Sequence, residues 1–203
     1  MKWMEIPIYS RLRKMEPSLA TLFLIVVGAV AIIGFFAAVS SPVGDLLGQG
    51  SWRLPSTFHG IAATIFVLGL TIALYLAWRM FTGEIRAFRD LKYLAVLTSV
   101  LSAFTIAFGN WIYIAYRAPG GPREEILASL PAIHRVFFEF KEYMALFTFP
   151  LIVAATFALW SYDKEILKNR HLRAGVAVAI GLAWVYMMIA YVLGAAITKL
   201  APV

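Results

Sequence analysis

The chain has 203 residues, of which 62% are hydrophobic and 14% charged, with a formal net charge of +7. An ordinary globular domain carries about 45–50% apolar and about 25% charged residues, so this composition points away from a water-soluble domain and to an integral membrane protein. No cysteine is present, which excludes disulfides, cysteine-ligated iron–sulfur clusters, covalent CxxCH haem attachment and thiol catalysis.

Residues 1–18 form a basic lead-in with Lys2, Arg11, Arg13 and Lys14. The apolar run 19–40 follows, and its length of about 20 residues at 1.5 Å per residue crosses a hydrocarbon core of about 30 Å. A secretory signal has a shorter apolar core of about 7–15 residues, so this run is expected to be a retained first helix, although Ala37-Ala38-Val39-Ser40 resembles a cleavage site. A Gly/Pro/Ser-rich connection leads to a second span, 57–80, with Pro55 and the Ser56/Thr57 pair as start and cap signals. The third span is expected over 91–116, the fourth over 133–160 and the fifth over 173–200. The fold class is therefore all-α, a single transmembrane domain (1–203) of five helices, multi-pass in the cell membrane.

The basic residues sit on one side of this arrangement. Lys2, Arg11, Arg13 and Lys14 fall with Arg79, Arg86, Arg89 and Lys92 and with Lys164, Lys168, Arg170 and Arg173, whereas the opposite loops hold Arg53, Arg117 and Arg123. The positive-inside rule places the N-terminus in the cytoplasm and the C-terminus outside. The positive charge is then accounted for by topology and by contact with anionic lipid, and no nucleic-acid partner is implied. In the loop before the fourth span, Pro122 suits a first helical position and Glu124 and Glu125 favour a helix N-terminus. A short surface helix, either a lid or an interfacial connector, is expected there.

The fourth span opens with His134, Arg135, Glu139, Lys141 and Glu142. Charges inside a span cost roughly 2.5–3.5 kcal/mol each at a helix centre on insertion scales, which makes this stretch the first place to look for function. At 100° per residue Lys141 returns to the face of His134, while Glu142 lies about 80° and Glu139 about 140° round. The two carboxylates sit about 7–12 Å below His134 along the axis. They either neutralise Lys141 structurally or form a proton-handling site of Glu139, Glu142 and Lys141.

His59 begins the second span as His134 begins the fourth, so the two imidazoles are expected at one depth near the outer face, with His171 at the opposite face. Two imidazoles on neighbouring helices are how a bundle holds a haem iron from both axial positions. On this reading Gly60, Gly69 and Gly109 give a flat macrocycle room, and Arg53, Arg117, Arg123 and Arg135 pair with its propionates. Phe58, Phe137, Phe138, Trp111 and Tyr113 edge the ring, and Asn110, Tyr113 and Tyr143 extend a polar path.

Five helices, a cytoplasmic N-terminus and the pair His59 and His134 resemble the small cytochrome b subunits that anchor respiratory dehydrogenases, reductases or hydrogenases. That resemblance implies one haem b held by His59 and His134, electron exchange with quinone or quinol, and other subunits of a membrane redox complex, or a homo-oligomer, as partners. Many such subunits bind two haems through four histidines, and this chain has three, so a second haem is not expected. Three other readings use the same residues. They are a haem-free transporter or ion-pathway subunit working through Glu139, Lys141 and Glu142, a scaffold subunit, and a metalloenzyme with His59, His134 and a glutamate around a non-haem metal.

Overall fold

The computed structural model describes residues 53–200, and every regular element among them is helical. The expected first span, 19–40, and the connection that follows it lie outside the described residues. The helices are α1 (Arg53–Phe81), α2 (Ile85–Tyr116), α3 (Pro122–Ser129), α4 (Glu139–Ser161, entered through the wide turn Ile133–Phe138), α5 (Asp163–Lys168) and α6 (Arg170–Leu200).

Among the described residues, four helices are long and apolar enough to cross a membrane: Leu54–Phe81, Arg86–Tyr116, Ile133–Ser161 and Arg170–Ile197. They overlap the expected spans 57–80, 91–116, 133–160 and 173–200, and the largest difference is at the charged start of Arg86–Tyr116, five residues earlier than expected. Arg86, Arg89 and Asp90 continue α2 because a helix satisfies its own backbone whether its side chains face lipid or headgroups. Pro55 sits inside the first turn of α1, where its missing N–H costs no hydrogen bond. Pro150 interrupts α4 without ending it, as neighbouring helices permit in a membrane bundle.

The four long helices form a ring in which α1 packs on α2 and α6, and α4 packs on α2 and α6. The main core fills the half of the ring nearer α5, with Phe66, Leu70, Leu76, Met80, Leu91, Leu94, Ile152, Leu159, Ile166 and Ile180 all essentially sealed. At that end the α1–α2 turn is closed by the Arg79 guanidinium on the Glu84 carboxylate, with Gly83 supplying a φ of 101°. Lys92 fastens α2 to the start of α5, with Nζ 2.9 Å from Asp163 and 4.3 Å from the centre of the Trp160 ring.

The opposite end holds a second, smaller cluster of Tyr116, Ile126, Ile133 and Ile197, against which Tyr113 and Phe138 pack. The expected surface helix is α3, with Pro122 at its start and Glu124 and Glu125 in its first turn. Gly121 sets its direction. A Cβ there would lie 2.8 Å from the carbonyl oxygens of Ala118 and Tyr116 and 2.9 Å from that of Ala115, so only glycine allows the chain to turn this tightly off the end of α2.

Candidate functional site

The charged stretch of the fourth span enters the bundle through a turn that is not α-helical. Over Ile133–Phe138 the helix widens, and the Glu139 N–H reaches the His134 carbonyl five residues back. Such wide turns are costly and cluster at functional positions. This one places His134 inside, 1% exposed, while Arg135, Val136 and Phe137 stay on the surface.

His134 has two fixed partners. Arg123 Nε donates to His134 Nε2 at 3.1 Å, and His134 Nδ1 lies 3.0 Å from the Tyr116 hydroxyl. A guanidinium can only donate, so Nε2 accepts, and the one proton of the neutral ring must sit on Nδ1 and point to Tyr116. The Glu139 Oε1 is 3.8 Å from Nε2, beyond hydrogen-bond distance. The rings of Tyr113, Tyr116 and Phe138 stack beside this imidazole, with Tyr116 and Phe138 4.7 Å apart and nearly parallel. Arg117 covers the outer member of the stack, its guanidinium carbon 4.5 Å from the centre of the Tyr113 ring.

His59 is held separately. Its Nδ1 is 3.0 Å from the Thr105 carbonyl oxygen, which can only accept, so Nδ1 carries the proton and Nε2 is left as an acceptor. The imidazole lies directly over Gly109, where a Cβ would meet Cε1 at 3.1 Å. The room at Gly109 is therefore used by the protein's own His59. Gly60 opens onto unoccupied space at the surface.

Lys141 and Glu142 complete the cluster one to two turns further in. The Lys141 stem runs along Gly194 of α6, with Cε 3.4 Å from where a Cβ would stand, and its ammonium lies 5.4 Å from the centre of the Phe138 ring. It is within electrostatic reach of both His59 and Glu142. Glu142 is in turn within reach of Tyr113, Arg117 and Glu139. An ionisable chain thus leads from Arg123 and His134 at the α3 end, past Glu139, Glu142 and Tyr113, to Lys141 and His59 among the spanning helices.

Other residues singled out in the sequence stand apart. Asn110, Tyr143, Trp111 and Phe58 are exposed, with Phe58 and Trp111 stacked on Phe108 along the outside of α1 and α2. Phe137 lines an apolar surface groove between α4 and α6 with Phe140, Met188 and Val192. His171, exposed at the start of α6, is at the far end of the bundle. The side chain of Arg53 lies outside the described part.

No protein-family model matches the chain, and no solved structure matches it. The chain is 35% identical over 92 residues to the multidrug efflux protein YfmO of Bacillus subtilis (strain 168), a stretch that covers 42% of this chain and 22% of that protein. The matched stretch therefore spans about a fifth of the length of that relative. With four apolar helices and a membrane efflux protein as a relative, the chain is a multi-pass membrane protein. The same finding corrects the electron-transfer reading, because the relative found is a multidrug efflux protein, which points to transport. The geometry agrees with the correction. The His59 and His134 rings are each bonded to protein groups, His59 fills the space reserved for a macrocycle at Gly109, and Arg123 is spent on His134. Among the described residues no three His, Asp or Glu side chains gather where they could hold a metal ion, which also removes the non-haem metal site of His59, His134 and a glutamate.

Proposed function

We propose that this chain is part of a membrane transporter, with Glu139, Lys141 and Glu142 forming an ion-coupling path in the half of the bundle beneath α3. The observation that carries this reading is the placement of Lys141 and Glu142 within a spanning segment, on a helix that packs between α2 and α6. Ionisable groups inside a span are expensive, and when they converge among spanning helices they mark ion or substrate pathways. The partial likeness to a multidrug efflux protein supports the same class and suggests drug-like molecules as cargo.

In this proposal the run 19–40 adds a fifth span, the N-terminus is cytoplasmic, and α3 lies on the external face, where it covers the entrance to the path. The lipid bilayer is the partner this proposal draws on.

The reading is tested by following ethidium release from de-energised, dye-loaded cells after re-energisation, with and without the chain. Expression should accelerate release, and Glu142→Gln, which keeps the shape and removes the acid, should abolish the acceleration at unchanged protein level. Release at the rate of empty cells, or undiminished release by Glu142→Gln, overturns the assignment.

A further inference from the structure

The path as described ends at His59 and Lys141, yet α2 carries a polar stripe well beyond them. Thr98, Ser102, Thr105, Gly109, Tyr113 and Tyr116 are spaced by three or four residues and so share one face of the helix. Ser102 lies 14 residues from Tyr116, about 21 Å further along the axis at 1.5 Å per residue and near the midpoint of α2. Thr98, Ser102 and Thr105 are all buried, and on α4 Thr148, seven residues from Lys141 and on the same face, is 1% exposed.

Ser102 differs from its neighbours in one respect. A hydroxyl inside a helix ordinarily bends back to the carbonyl three or four residues earlier, and Thr98, Ser99, Thr105, Thr148 and Thr156 all do so. Ser102 is fully buried and its Oγ has no hydrogen-bond partner among the described residues. Burying a hydroxyl without a partner costs free energy that an alanine at the same place would not. A helix that leaves this hydroxyl unbonded, in line with the ionisable cluster, holds it ready for something that passes.

We propose that Ser102 is the inward relay of the path, and that the species it hands on is a proton carried by water. This rests on the transport reading and names its coupling ion. Every group along the way, from Glu142 and Tyr113 through Lys141 and His59 to the Ser102 hydroxyl, can both accept and release a proton. A metal cation finds no cage of carboxylates among the described residues and meets the Lys141 ammonium and the Arg117 guanidinium. Thr98 and Thr105, on the same face of α2 as Ser102, and Thr148 of α4 are the other buried hydroxyl residues of this set; the Thr98 and Thr105 hydroxyls donate to carbonyls of their own helix.

The test uses the full chain in proteoliposomes with a pH-sensitive dye inside, and a potassium diffusion potential set with valinomycin to drive protons inward. Ser102→Ala should slow proton uptake about tenfold, the effect of one hydrogen bond lost from the rate-limiting step, while its melting temperature stays level or rises. Ser102→Thr, which restores a hydroxyl, should recover uptake. Uptake by Ser102→Ala equal to wild type overturns the relay, and so does a fall in its melting temperature, which would make the hydroxyl a structural bond. If Glu142→Gln loses ethidium efflux while Ser102→Ala moves protons normally, the relay fails and the transport reading stands. If wild type moves neither protons nor ethidium, both fall.

Discussion

At His134 both ring nitrogens are committed, and the commitment decides the proton's position. Arg123 reaches over from α3 to donate to Nε2, so the ring is neutral with Nδ1–H directed at Tyr116. Removing the guanidinium leaves a buried acceptor without a donor, which costs about 1–3 kcal/mol. Arg123→Ala should therefore lower the melting temperature, whereas Arg135→Ala, at an exposed position one residue from His134, should leave it within experimental error. Equal melting temperatures for the two variants in a thermal scan would remove Arg123 from this role. Glu139 faces the same nitrogen at 3.8 Å. A ring that gained a proton at Nε2 would have to release Arg123 and could turn to Glu139, so Glu139 is placed to take over as partner.

At the scale of elements, the apolar stretches were legible because hydropathy over some twenty residues needs no knowledge of neighbours. The ends were less so. Hydropathy stops at the first charge, but the helix continues through Arg86, Arg89 and Asp90. The charged run from His134 to Glu142 was legible as an anomaly at the start of an apolar span, and Lys141 and Glu142 do lie within the spanning helix Ile133–Ser161. The pairing of His59 with His134 did not follow, because a shared depth says nothing about what each ring already bonds. The wide turn Ile133–Phe138 was not legible in the sequence, and neither were the Tyr116 and Arg123 partners of the imidazole it carries, which come from α2 and α3. Ser102 was hidden for a related reason: a serine that lacks a partner reads the same as Ser99, which bonds the Ala95 carbonyl and pairs with Thr156 at 2.9 Å. The three-and-four spacing from Thr98 to Tyr116 was the available signal. Gly121 likewise reads in the sequence as an ordinary turn glycine. Gly121→Ala forces a Cβ against three backbone carbonyls, none of which can swing aside as a side chain could. The substitution should cost about 1–3 kcal/mol, in the range of overpacking, and should displace α3. A spin label at the exposed Ser129 would report that displacement as increased mobility, and an unchanged spectrum would show that α3 is not positioned by this turn.

For the whole molecule, an even number of described spans puts the start of α1 and the end of α6 on one side, with the α1–α2 turn and α5 on the other. The second side carries Arg79, Arg86, Arg89 and Lys92 together with Lys164, Lys168, Arg170 and Arg173, while the loop at α3 carries Arg117 and Arg123. Arg117 lies over the Tyr113 ring and Arg123 donates to His134, so neither is a freely solvated loop charge of the kind that sets orientation. Among the basic residues at the α5 end, Arg79, Arg89 and Lys92 have an acid within ion-pair distance, and the larger basic excess still falls on that side. The side with α5 should therefore face the cytoplasm. Because the chain has no cysteine, single cysteines can be introduced without a background to remove. A membrane-impermeant maleimide applied to intact cells should label Glu125→Cys, on the exposed face of α3, and should leave Arg89→Cys and Lys168→Cys unmodified until the cells are permeabilised. Labelling of Arg89→Cys from outside with Glu125→Cys protected would invert the bundle. The entrance beneath α3 would then open to the cytoplasm, and Ser102 would relay protons outward from the cluster.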